Sequence, residues 1–83
     1  MASEFFVLHH DDILELEVVE GRMETLNRVK EVLGDFNESS KKNAGRFLEG
    51  DKSLMDQGPH YLKSFTLRNV KGKFTHVYET TKK

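Results

Sequence analysis

The stretch from Gly58 to Thr80 most narrows what this chain can fold into. Two runs rich in Phe, Tyr, Thr, Val and Leu flank Asn69-Val70-Lys71-Gly72, the composition of two strands meeting at a turn. A β-hairpin is therefore expected, with two registers open. Lys71-Gly72 as a two-residue turn sets Phe65 opposite Tyr78 and gathers Phe65, Leu67, Phe74, His76 and Tyr78 on one face. A type I turn over Asn69–Gly72 with a glycine bulge sets Phe65 opposite Val77 and divides the aromatics between faces. A slip of one residue exchanges the faces, so the register decides what is exposed.

The remaining residues must complete a core around that hairpin. At 83 residues the chain is expected to be one small domain spanning 1–83, with elements sharing a single thin apolar layer. Glu4–His10 and Ile13–Val19 read as an N-terminal hairpin joined at Asp11-Asp12, from the alternation Leu14-Glu15-Leu16-Glu17-Val18. The rival reading is one long helix from Asp11 or Asp12 to Leu33, against which stand Gly21 and Lys30. Arg22–Leu33 is expected to be helical in either case. Its apolar face is Met23, Leu26, Val29, Val32, Leu33 and Phe36, and Arg22, Glu24, Thr25, Arg28 and Glu31 lie opposite, with Glu24 and Arg28 as an i,i+4 pair. Gly34 is the stop. Ser39 or Ser40 caps a short helix through Leu48, with Ala44, Phe47 and Leu48 inward, ended by Gly50-Asp51. Leu54-Met55 would add a turn and Gly58-Pro59 would close the segment. The expected fold class is α+β: an antiparallel sheet from N- and C-terminal hairpins, with one principal and one short helix on one face.

Charge divides the chain. Residues 1–36 hold nine Asp/Glu against three Lys/Arg, and residues 37–83 hold five against ten. Such asymmetry points to charged partners or to association by opposite ends, unless the two sets are solvated faces of one fold. Two candidate surfaces follow. Lys63, Arg68, Lys71, Lys73, Lys82 and Lys83 form a basic set for nucleic acid or an acidic partner. Asp11, Asp12, Glu15 and Glu17 form an acidic set for a basic partner, a second copy of the chain included. Tyr61, Phe65, Phe74 and Tyr78 interleave with the basic set as a single-stranded nucleic-acid platform would. Core demand, however, assigns most of these aromatics to the interior.

Catalytic readings are thinner. His60 and His76 with Lys63, Arg68, Lys71 and Lys73 could serve a small ribonuclease, but no nucleophile or carboxylate motif accompanies them. His9-His10-Asp11-Asp12 resembles a ligand cluster, yet adjacent strand residues point to opposite sides, so no metal or other cofactor is expected. The chain contains no cysteine, which favours a reducing compartment. With no spanning apolar run and no leader-like N-terminus, a cytoplasmic location without membrane contact is expected. The leading functional expectation is a non-enzymatic interaction module, a regulator or inhibitor that binds a larger protein through charged surfaces. RNA or single-stranded DNA binding is the alternative, the ribonuclease a lesser one, and homodimerisation an additional expectation.

Overall fold

The computed structural model describes residues 4–54, 56–57 and 63–80. In chain order these form β1 (Phe5–His10), β2 (Glu17–Glu20), α1 (Arg22–Leu33), α2 (Glu38–Glu49), a 3₁₀ turn (Lys52–Leu54), β3 (Asp56–Gln57), β4 (Lys63–Arg68) and β5 (Phe74–Thr80). The described strands build one antiparallel sheet in the order β2-β1-β5-β4-β3. The α+β reading holds, and both terminal strand pairs are present. Closure of the sheet by β1 against β5 joins the two hairpins.

Between the two C-terminal registers, the glycine-bulge one is found. Phe65 faces Val77 and Leu67 faces Thr75. Asn69 donates its backbone N–H to the Lys73 carbonyl at 2.8 Å, and the Gly72 N–H returns to the Asn69 carbonyl at 3.1 Å. Gly72 has φ of +94°, a conformation that costs a side-chain-bearing residue strain. The Asn69 side chain fixes the choice. Its Oδ1 accepts from the Lys71 and Lys73 N–H groups, while its Nδ2 donates to the Leu33 carbonyl at the end of α1.

The N-terminal hairpin differs from expectation in its loop. A two-residue tip would set Val7 against Leu16, but Val7 faces Val18 and Leu8 faces Glu17. The strand expected over Ile13–Val19 contracts to Glu17–Glu20, and residues 11–16 become the connection. The change is one of two residues, so each side chain keeps its expected face. Lateral anchors hold the start of this loop: the Asp11 N–H donates to the Phe74 carbonyl at 2.9 Å, and Asp12 pairs with Lys73.

The rival long helix does not form: Gly21, with φ of +94°, breaks the chain between β2 and α1. Helices α1 and α2 together cover one face of the sheet. Phe6, Leu8, Phe65, Leu67 and Val77 meet Leu26, Val29, Leu33, Phe36, Ala44 and Phe47 in one core cluster. Phe47 lies at its centre, with ring centroids 4.9 Å from Phe6 and 5.0 Å from Phe65.

Several helix assignments change. Met23 and Leu48, expected inward, are exposed, and Thr25, expected outward, is fully buried with its hydroxyl donating to the Gly21 carbonyl. Met23 and Leu48 lie at the borders of their apolar arcs, whereas Thr25 falls inside its own, between Val32 and Val29. Asn37 rather than a serine caps α2, its Oδ1 accepting from the Ser40 N–H at 2.8 Å. Ser40 is thereby freed to accept from the Arg68 N–H at 2.7 Å, tying α2 to β4. Arg28 turns from Glu24 to Glu17 and Glu31. Gly50, in the left-handed conformation, ends α2 as expected. The break expected at Gly58-Pro59 and the residues His60, Tyr61, Lys82 and Lys83 lie outside the described residues, as does Met55.

Candidate functional site: the open face of the sheet

With both helices on one side, the opposite side of the sheet is uncovered by the described residues. The strand registers specify what stands there. Val7 on β1 lies beside Tyr78 and Val18, His9 lies beside His76, and Arg68 lies beside Phe74. Along β5 the rings Phe74, His76 and Tyr78 form a row. Centroids are 4.8 Å apart for the first pair and 6.2 Å for the second, and His9 sits 6.1 Å from His76. The Arg68 guanidinium lies 5.4 Å from the centre of the Phe74 ring. The bulge register thus overturns the assignment of most hairpin aromatics to the interior. Phe65 is buried, but Phe74 and Tyr78 are half-buried on the outer face.

Beside this row runs an aliphatic ridge. Leu14, Leu16 and Val18 are 97%, 60% and 65% exposed. Val7, His9, Leu14, Leu16, Tyr78, Glu79 and Thr80 line a shallow groove of about 660 Å³ between ridge and ring row. Contiguous exposed apolar surface of this kind characterises interaction sites in soluble proteins.

His76 titrates below the usual imidazole range. Burial disfavours its charged form first, then the proximity of His9 and Arg68, with Asp11 acting weakly in the other direction. Its Nδ1 shares a 2.8 Å hydrogen bond with the Thr66 hydroxyl. An imidazole that stays neutral makes this end of the groove less polar than the sequence implies.

The charged candidates divide differently from the sequence reading. Lys73 from the basic set binds Asp12 from the acidic set, and this contact raises the Lys73 pKa. Lys71 stands exposed at the hairpin tip, Arg68 on the open face and Lys63 at the start of β4. Asp11 and Glu15 are exposed beside the ridge. Glu17 is engaged from both sides. His10 Nε2 donates to it at 2.7 Å and Arg28 Nε at 2.8 Å. The Arg28 hydrogen bond is the main reason its pKa is lowered, ahead of the opposing effect of burial and the added pull of His10.

His10 is fully buried, its Nδ1 2.8 Å from the Thr75 hydroxyl. A carboxylate only accepts, so Nε2 carries the proton toward Glu17. The order hydroxyl, imidazole, carboxylate has the connectivity of a hydrolase relay. Thr75, however, is fully buried beneath the helices, so the array ties β1, β2 and β5 together instead of presenting a nucleophile. His9 and His10 do lie on opposite faces, His9 toward the groove. Among the described residues no group of three or more His, Asp or Glu side chains could hold a metal, and no helix is long and apolar enough to cross a membrane.

Arg22 escaped the sequence reading, which put it on the solvent side of α1. It donates to the Phe47 carbonyl at 2.7 Å, binds Glu4 through two nitrogens, and stacks 4.8 Å from the Phe47 ring centre. It closes the helix end of the core. Compared with protein-family models, curated proteins and solved structures, the chain matches none.

Proposed function

We propose that this protein is a small non-enzymatic interaction module, a regulator or inhibitor that receives part of a larger protein on its open sheet face. One observation carries the reading: the aliphatic ridge of Leu14, Leu16 and Val18 is left in water directly beside Val7 and Tyr78. Aliphatic side chains offer a protein segment apolar burial, and the neighbouring rings supply the rigid anchors common at protein interfaces. In this reading the charged surfaces expected from the sequence are joined by an apolar groove. Apolar groups line most of the groove, with His9 and Glu79 beside them.

The test is a peptide-library selection against the folded protein, followed by affinity measurements on a Leu16→Asp and Tyr78→Ser double variant. Selected peptides are expected to lose at least about tenfold in affinity. Undiminished binding to the double variant would remove the groove as the site.

A second reading has its own support, the row Phe74, His76 and Tyr78 with Arg68 at one end. Single-stranded nucleic acid stacks its bases on such rows. Affinity for single-stranded RNA across a salt series decides between the two. Neutralised phosphates give a slope of about −0.7 each in log affinity against log salt. Absence of binding at low salt leaves the protein partner alone.

A further inference from the structure

We infer that the free edge of β2 accepts an extended, alternately apolar and basic segment of the partner as an added strand. This rests on the interaction-module reading and names the partner's chemistry. β2 is the terminal strand of the sheet. The Gly21 N–H bonds the Glu4 carbonyl at 2.8 Å, and Val19 and Glu17 lie opposite Phe6 and Leu8 in the same register. Hydrogen-bonded and non-bonded pairs alternate in an antiparallel ladder. Val18 and Glu20 therefore direct their N–H and C=O groups away from β1, toward a side that no other described strand occupies. Edge strands are blunted by shortness, charge, proline or a covering element; at four residues β2 has the first two, its charge being glutamate alone. Glu17–Glu20 has neither lysine nor proline, and it carries Val18 at 65% exposure with Leu16 just before it at 60%.

The two sides of this edge ask for different chemistry. A strand laid against Val18 sets alternate side chains beside Val18 and Leu16 on the open face, which suits apolar residues. Its intervening side chains project to the helix side of the sheet. There they meet Glu17, with Glu24 and Glu31 flanking Arg28 on α1. That side suits lysine or arginine. A second copy of β2 would bring its own Glu17, Glu24 and Glu31 toward the same helix side, and that like-charge approach disfavours self-pairing. A foreign basic strand matches the edge on both sides.

The experiment uses the whole chain with two synthetic probes, a short peptide of alternating valine and lysine and its counterpart of alternating valine and glutamate. Binding is read by fluorescence anisotropy, and amide hydrogen exchange is followed on the protein. The lysine peptide is expected to bind at least about tenfold more tightly than the glutamate peptide and to slow exchange at Val18 and Glu20. Val18→Pro removes only an outward N–H, leaving the β1 ladder intact, and is expected to abolish that binding while the far-ultraviolet spectrum is retained. Equal binding of both peptides, no binding of either, or full binding by V18P overturns the inference. Concentration-dependent dimerisation that V18P removes overturns it in favour of a second copy. The two readings separate cleanly. Library peptides that lose affinity with Leu16→Asp and Tyr78→Ser but not with V18P leave the groove standing and the edge refuted.

Discussion

Replacing Glu17 by alanine tests how the buried polar tie supports the face described above. The substitution takes the acceptor from His10 Nε2, whose residue has no solvent exposure. Orphaning a buried donor costs about 1–3 kcal/mol. The lost pairing with Arg28 adds little, since the partners' side chains are 41% and 30% exposed and such pairs are weak in water. A loss of about 2 kcal/mol at pH 7 is therefore expected, read from the urea midpoint at unchanged slope. Glu17→Gln keeps an acceptor for His10 and should cost clearly less. The pH dependence has a definite sign. Glu17 has a lowered pKa in the fold relative to 4.5, so its contribution is complete above 4.5 and is lost as pH falls through the folded value. The gap between wild type and Glu17→Gln should narrow in that acid window. A Glu17→Ala protein as stable as wild type at pH 7 would refute the tie. So would a gap to Glu17→Gln that stays constant into acid.

Two further outcomes follow from the same geometry. His76 titrates below 6.5 in the fold, so its contribution is full above 6.5 and lost as pH falls through the folded value; thermal melts should show wild type losing more stability than His76→Gln between pH 7 and pH 5. Phe47→Ala empties the centre of the core, where the ring has no solvent exposure. A loss of about 3–5 kcal/mol is expected, a large share of the roughly 4–12 kcal/mol a domain of this size holds, read as a lowered urea midpoint.

The parts of the fold legible in the sequence were those set by local chemistry. Period-two alternation marked the first hairpin, strand-rich runs about a turn marked the second, the helical spacing from Leu26 to Leu33 marked α1, and Gly21, Gly34 and Gly50 marked the chain breaks. What escaped was set by contacts distant in sequence. The choice of hairpin register rests on Asn69 reaching the Leu33 carbonyl, a contact invisible from the turn residues alone. That choice moved Phe74 and Tyr78 to the outer face and made a groove where a buried layer was expected. The length of the first loop likewise depends on Asp11 and Asp12 meeting Phe74 and Lys73. Arg22 read as a solvent residue because helical periodicity does not show that a guanidinium can fold back over Phe47. The alternation of apolar and acidic residues from Leu14 to Glu20 was visible throughout. Its meaning as a free edge needed the strand order.

The most direct test of the open face as the binding surface is amide chemical-shift mapping during titration with a library-selected peptide. Shifts concentrated at Val7, His9, Val18 and Tyr78 are the predicted result. Shifts confined to the solvent side of α2, around Lys41, Lys42 and Glu49, would contradict it.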